Sequence, residues 1–524
     1  MTTRVIVKKS TYRDSISLMK ISNSISKLPG ITQAAVVMAT ELNRRVLSEA
    51  GFVDAAIGRA ASNDMIVAIE AKEAASLDAA FTETERLLSA GEKLAGEKAP
   101  PTSLEEALEL VPDANLVVIS VPGQFAKREA MHALNRNLNV FLFSSNVSRE
   151  DELELKKLAR DKRLLMMGPD CGTSIINHTV IGFGNVVREG SIGLVSASGT
   201  GLQEVSTLIH KAGYGISQAI GTGGGDLSDE VGGIMAIEGI ELLEHDKKTE
   251  TIVVISKPPG AETMRRILEV VKRCRKRIVV NFLGVDIDTA NLGKQKSAHT
   301  LEEAARIACE LAGQKTKEAA PLPKEVIATA QSEFSKLAKS QKYIRGLYAG
   351  GTLCYEAQVI LQPLFKEVYS NGPIRPEYKV EGDAPSKKHS CIDMGAEEFV
   401  VGRAHPMIDF TLRKRRILQE AKDPEAAVIL LDVELGYGSH PDPSGELVPV
   451  IEEAKALAKK AGRFLSVVTS VVGTDGDFQG LTKQEKNLTD AGVLIMPSNA
   501  QALRLSAFIA SRGNVEAMFP GRSN

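Results

Sequence analysis

Tryptophan is absent and aromatic residues make up only 4% of the 524 residues, so no base-stacking platform for single-stranded nucleic acid is expected. An excess of one charge is missing too. The 64 Lys and Arg against 66 Asp and Glu leave a formal net charge of −2, which removes any general attraction to nucleic acid or an anionic membrane. The five cysteines (Cys171, Cys274, Cys309, Cys354 and Cys391) are scattered, odd in number and never spaced CxxC. Disulfide scaffold and structural zinc both fall away, and no metal is expected. No apolar run approaches the roughly 20 residues of a membrane span. The opening MTTRVIVKKS enters a strand pattern with no signal-type apolar core. The expected location is the cytoplasm.

What is present is alternation of strand and helix. Residues 1–95 read strand (4–8), helix (14–28), strand (33–39), helix (41–50), strand (65–69), helix (76–88), a small α/β domain with neither a GxGxxG nor a P-loop. The polar SAGEKLAGEKAPPTS interrupts this pattern. From residue 96 to 188 the strands become short apolar blocks, NLVVISV, NVFLFS and RLLMM, as in a Rossmann-like parallel sheet covered on both faces.

The remainder repeats. IGLVSASGTGLQEVSTLI at 192 has a counterpart in IRGLYAGGTLCYEAQVIL at 344. Each repeat ends in a helix with capping-box spacing, Thr300 with Glu303 and Ser498 with Gln501. Two tandem flavodoxin-like domains follow, at 189–315 and 342–524, with 316–341 read as a linker. The fold class is α/β throughout.

Ligands gather at the carboxyl ends of strands in such sheets. In the first repeat Ser198, Gly199, Thr200 and Gly201 form a glycine turn at a helix N-terminus, where free N–H groups and the helix dipole favour an anion. Gly350, Gly351 and Thr352 do the same in the second. The GTGGGD loop, with Gly223, Gly224, Gly225 and Asp226, is a candidate substrate contact. Lys257 at a strand end is either a solvated charge or a ligand for phosphate. Arg403 and His405 lie together in VGRAHPMID, a loop suited to phosphate or carboxylate recognition or simply exposed. Asn281, Gly284, Asp432 and Gly473-Thr474-Asp475 also fall at strand ends. Cys171, in the turn GPDCG, reads as a packing thiol because no adjacent His/Asn pair would activate it. His299 reads as helix-entry structure.

RLLMMGPDCGTSII, SIGLVSASGTGLQEV, IGTGGGDLSDEVGGI and TETIVVISKPPG, in this order, resemble the α subunit of succinyl-CoA synthetase, and residues 341–524 more loosely resemble the ligase domain of its β subunit. The set GPDCGTS, ASGTG, GGTL and VGRAHPMIDFTLR is most similar to the FdrA family, which fuses the two, although Ala404 and Phe410 stand where that family carries prolines. The resemblance implies a CoA-binding-type domain at 96–188 and two ligase-type domains after it. No histidine loop of the GHAGA kind and no nucleotide-grasp domain is present, so a self-contained ATP-driven synthetase is not expected. The resemblance implies instead a subunit of an oxamate carbamoyltransferase, converting oxalurate and phosphate to oxamate and carbamoyl phosphate. In that reading Lys257, Arg403 and His405 are catalytic, phosphate or carbamoyl phosphate is substrate, companion subunits are needed and a homo-oligomer is expected. An acyl-CoA synthetase component working with a separate ATP-binding chain, and therefore with CoA, is the alternative. A noncatalytic ligand-sensing subunit is a third.

Overall fold

The computed structural model describes residues 1–90, 101–288, 292–313 and 324–514. They fall into two compact units, Met1–Ser103 with Met394–Thr411, and Leu104–Asp393 with Leu412–Asn524. No described helix is long and apolar enough to cross a membrane.

In the first unit β1 (Thr2–Lys8), α1 (Ser15–Ser26), β2 (Ile31–Met38), α2 (Glu41–Glu49), α3 (Ala55–Arg59), β3 (Met65–Ala71) and α4 (Ala74–Ala90) follow in order. The alternation expected from sequence is present with one short extra helix, α3. The strands pair antiparallel in the order β1-β3-β2. Period-two alternation sends Val67 and Ile69 into one core with Leu18 of α1 and Leu77 of α4. It sends Ile66 and Ala68 into another with Leu47 of α2 and Ile57 of α3. Both faces of the sheet are therefore covered.

The second unit begins with α5 (Leu104–Leu110), β4 (Leu116–Ile119), α6 (Gly123–Asn135), β5 (Asn139–Leu142), α7 (Arg149–Asp161) and β6 (Met166–Met167). These form a short parallel layer, β4-β5-β6. The hairpin β7 (Thr173–Ile176) and β8 (Thr179–Gly182) comes next. It was expected within the Rossmann-like domain ending at 188, but β7 pairs with the following repeat, Ala219 opposite Ile175.

The first repeat contains β9 (Glu189–Ser196), α8 (Gly199–Lys211), β10 (Ile216–Gly221), α9 (Ile234–His245), β11 (Thr251–Ser256), α10 (Ala261–Arg273), β12 (Arg277–Phe282), β13 (Lys296–Ser297) and α11 (Leu301–Leu311). The expected linker at 316–341 holds a helix, α12 (Lys324–Ser335), because Ala330 and Phe334 have apolar partners to bury against; residues 314–323 lie outside the described ones. The second repeat comprises β14 (Tyr343–Tyr348), α13 (Gly351–Phe365), β15 (Val368–Tyr369), β16 (His389–Asp393), then α14 (Glu397–Val400) of the first unit, α15 (Thr411–Lys422), β17 (Ala426–Glu434), α16 (Pro443–Lys460), β18 (Ser466–Val472), α17 (Leu481–Asp490), β19 (Leu494–Met496) and α18 (Asn499–Ala510).

The parallel strands run β13-β12-β11-β9-β10 in one repeat and β15-β16-β14-β17-β18-β19 in the other. With the two-residue edge strand β15 set aside, counting from each repeat's first strand gives the flavodoxin-like order 2-1-3-4-5, which puts the switch point beside β9 and β14. Leu202, Val205 and Ile209 of α8 share one core with Leu353, Ala357 and Leu361 of α13 and with Leu503 and Phe508 of α18. The helical period of those apolar residues decides which faces meet.

Candidate functional site

Two chain reversals at the switch points build the site. Ser198 caps α8, its Oγ accepting from the Gly201 N–H at 2.9 Å. Its own hydroxyl donates to Thr352 Oγ1 of α13 at 2.5 Å. A Cβ at Gly350 would stand 3.0 Å from the Thr200 side chain, a tight approach that glycine relieves where the two turns meet. The helix N-termini of the two repeats thus meet. The N–H groups of Gly199 and Thr200, at the first helical positions, have no acceptor within their helix and sit at its positive end.

The second turn is differently furnished. The N–H groups of Ala349 and Gly350 donate to the Asp432 carboxylate, at 2.9 and 2.7 Å for the closest oxygens. Asp432 is fully buried and pairs with buried Arg413. Gly350, expected to bind phosphate, already holds a carboxylate of the chain itself. Beside it, burial and the neighbouring Asp432 push the Glu434 carboxyl well above the usual range, keeping it neutral.

Lys257 is exposed just beyond β11, its Nζ 5.7 Å from the Tyr355 ring centroid on α13. Two residues earlier, the Ile255 carbonyl accepts the Ala197 N–H of the first turn. The structure therefore places Lys257 beside the junction of the two turns.

The GTGGGD loop does something other than expected. Asp226 is fully buried and caps α9, accepting from Met235 and Ala236 at 3.1 and 2.7 Å. Lys156, equally buried, holds it at 3.0 Å and Glu152 at 2.7 Å. Those partners satisfy the carboxylate internally, and Asp226 is a structural anchor rather than a substrate contact. Gly225 packs against the Arg149 guanidinium, and Gly223, at φ +81°, lies where a Cβ would be 2.0 Å from the Pro169 carbonyl. Gly224 alone has room beside it, with Asp170 nearby.

Arg403 and His405 belong to the other unit. The Arg403 guanidinium donates to Asn43 at 2.9 Å and pairs with Asp409 at 3.1 Å, with 9% of the side chain exposed. Charge pairing within its own unit accounts for it. His405 Nδ1 accepts the Met407 N–H at 3.3 Å within its loop.

Gly473-Thr474-Asp475 joins parts of the second unit. Thr474 donates to the Val186 carbonyl at 2.6 Å, and Asp475 accepts from His210 at 2.6 Å. Asn281 donates to the Ala298 carbonyl. Burial pushes the Cys171 thiol up to about 11, in keeping with a packing role. His299 is 64% exposed, and its N–H is taken by Glu303 at 2.8 Å in the capping box of α11.

The cavity at the first turn is small, about 10 Å³, lined by Asp170–Thr173, Ser196–Gly199, Gly221 and Gly223. Thr173 was missed in the sequence; only its place directly after the turn GPDCG marked it. A larger cavity of about 330 Å³ lies at the hairpin, against His178, Val180, Asn185 and Tyr437. None of the residues singled out by sequence lines it.

Residues 1–102 match the family described as AllF, heavy metal-associated domain, residues 187–284 the CoA binding domain, and residues 347–509 the CoA-ligase family. The chain is 44% identical over 515 residues to the uncharacterized protein YahF of Escherichia coli K12, covering 98% of this chain and 99% of that one. It is 28% identical over 195 residues to the α subunit 2 of the ADP-forming succinate–CoA ligase of Archaeoglobus fulgidus, covering 34% of this chain and 66% of that subunit. Among solved structures, PH0766 from Pyrococcus horikoshii OT3 is 17% identical with a TM-score of 0.34, over 82% of this chain and 89% of that one.

A heavy metal would need soft or imidazole ligands. Residues 1–102 contain no cysteine and no histidine. Among the described residues no group of three or more His, Cys, Asp or Glu side chains is placed to hold an ion. The N-terminal domain therefore does not fit the metal its family description implies.

Proposed function

Because the chain belongs to the family of the Escherichia coli protein YahF and joins a CoA-binding to a CoA-ligase domain, we propose that it is the acyl-transferring component of a CoA-ligase-type enzyme. The observation that carries this reading is the Ser198–Thr352 contact, which brings two glycine-headed helices from tandem ligase repeats to one point. The Gly199 and Thr200 amides would hold an oxyanion there, and Lys257 would offset its charge as a phosphate oxygen attacks a thioester carbonyl. The C–O bond forms, the C–S bond breaks, and the CoA thiolate leaves and takes a proton. Nucleotide chemistry belongs to a companion chain. The test is arsenate-dependent release of CoA thiol from acetyl-, propionyl- and succinyl-CoA by the purified chain. Neither CoA binding by calorimetry nor thiol release with any of them would overturn the reading.

A narrower second reading is carbamoyl transfer of the FdrA type, with oxalurate and phosphate as substrates. No histidine lines the cavity at the first turn, and transfer of a carbamoyl group to phosphate requires no phosphorylated residue. Carbamoyl phosphate formed from oxalurate by the chain with its companion subunits would favour it over the first.

A further inference from the structure

The hairpin β7–β8 reverses over two residues, Asn177 and His178, with Ile176 paired to Thr179. Both turn residues have positive φ, +47° and +65°. A turn of this kind takes Asn readily at its first place and glycine at its second, where a Cβ crowds the backbone. Histidine stands in the glycine place. The tip is held there firmly, the Asn177 N–H donating to Gln218 Oε1 at 2.7 Å and Gln218 Nε2 donating back to Asn177 Oδ1 at 2.9 Å. Strain kept in a fixed turn points to a use for the side chain.

That side chain lines the cavity of about 330 Å³, with Nε2 3.3 Å from Glu189 Oε2. The carboxylate keeps the proton on Nε2 and leaves Nδ1 for a ligand. Tyr437 forms a second wall. Its backbone is bonded in both directions to Gly184, donating at 2.7 Å and accepting at 3.2 Å. On either side a Cβ at Gly436 would clash with the Gly184 carbonyl, and one at Gly438 would lie 2.6 Å from the Phe183 ring. The ring mounted on this rigid backbone is nevertheless 52% exposed, with Phe478 beside it at 6.2 Å between centroids. The other walls are aliphatic, among them Val180, Val186 and Val187. Among the described residues no Lys, Arg, Asp or Glu lines the cavity, and Glu189 offsets any charge on His178.

We propose that this cavity binds an uncharged, flat nitrogen heterocycle of about purine size, stacked on Tyr437 and hydrogen-bonded to His178. The occupant follows from the walls. Aliphatic side chains and one open aromatic face suit a flat ring. The absence of a net charge gives neither an anion nor a cation a partner worth its desolvation. At about 30 Å³ per water-sized group the volume holds on the order of ten non-hydrogen atoms. A heterocycle with an amino group beside a ring nitrogen offers Nδ1 a hydrogen-bond partner in either of its protonation states. The site shares no lining residue with the cavity at the first glycine turn, and the inference goes beyond the CoA-ligase reading without resting on it. Such a ring comes either free or as the base of a nucleotide.

The experiment titrates adenine, and separately adenosine monophosphate, into wild type, Tyr437→Ala, Tyr437→Phe and His178→Gly by calorimetry. Tyr437→Ala and His178→Gly should each weaken binding about tenfold, while Tyr437→Phe stays within about threefold of wild type. Dependence shown by adenine alone identifies a free heterocycle, and dependence shown by the nucleotide identifies the base of a larger ligand. The unliganded melting temperature of His178→Gly should equal or exceed that of wild type, because glycine takes the positive φ without strain. A lower melting temperature with unchanged binding would make the histidine structural and overturn the proposal. So would binding of both compounds that ignores Tyr437→Ala and His178→Gly, or no binding of either by wild type up to about 5 mM. Thiol release from acyl-CoA without added heterocycle should be the same in all four proteins, which separates this test from that of the enzyme reading.

Discussion

Glu204 and Glu356 stand at the same place in the two repeats, and each caps the last helix of the other. Glu204 of α8 accepts the N–H of Asn499, the first residue of α18, at 3.0 Å. Glu356 of α13 accepts the N–H of Leu301, the first residue of α11, at 2.7 Å. Asn499 also donates to Glu356 at 2.7 Å. The repeats are thus cross-tied by reciprocal charge-to-helix contacts inside their shared core.

That arrangement makes stability pH-dependent. Burial raises both carboxyls to about 7 against the lowering effect of the amides each accepts from; Glu356 and Glu302 add to the rise at Glu204 and Lys211 opposes it, while Glu302 adds to the rise at Glu356 and Arg504 opposes it. Between the ordinary carboxylate value and 7, the folded state binds more protons than the unfolded one. The contribution to stability is therefore full below about 4.5 and is lost as pH rises through 7. Glu204→Gln or Glu356→Gln should unfold at higher denaturant than wild type at pH 8.5, by on the order of 1–3 kcal/mol, and nearly equally at pH 5. A loss confined to pH 8.5 would show that the caps need charge, and equal losses at both pH values would show that neither carboxyl changes its ionisation between them.

Lys257 and Cys171 separate electrostatic from covalent catalysis. Lys257→Met should lower arsenate-dependent thiol release about 10²-fold, because its charge meets the oxyanion as it forms. Cys171→Ser should change it little, and the folded protein should resist alkylation there at pH 8, since the thiol is buried and its ionisation lies near 11. Loss of turnover in Cys171→Ser with turnover retained in Lys257→Met would reverse the assignment.

Arg403 tests a different point. Replacement by Met leaves Asn43 and Asp409 without their guanidinium partner. The first unit should lose ~2 kcal/mol of stability, seen as earlier proteolysis or melting of residues 1–103. The rate of thiol release per folded molecule should hold; a drop at full stability would return Arg403 to the chemistry.

Gly223→Ala should be strongly destabilising, by about 3 kcal/mol or more, because φ is +81° and the new methyl would meet the Pro169 carbonyl. Gly224→Ala, where nothing lies closer than 3.9 Å, should fold normally. A melting comparison decides whether the GTGGGD loop is built for packing or for a ligand.

The alternation of helix and strand, the tandem repeat, the two glycine turns and the N-caps Thr300 and Ser498 were legible in the sequence, although Gln501 turns to Glu302 and does not close a capping box. Each depends on local periods and on neighbours within a few residues, which is where backbone propensity and capping act. The tertiary structure alone decided what surrounds each turn. Asp432 takes the Ala349 and Gly350 amides of the second across 83 and 82 residues, Thr173 lies against Gly199 of the first from a separate hairpin, and Asp226 turns inward to buried Lys156. It also paired Arg403 with Asn43 and Asp409 of its own unit, in a loop that the sequence marked as suited to anions. Long-range charge pairing has no period along the chain, so the sequence supplied the candidates and only the packing chose among them.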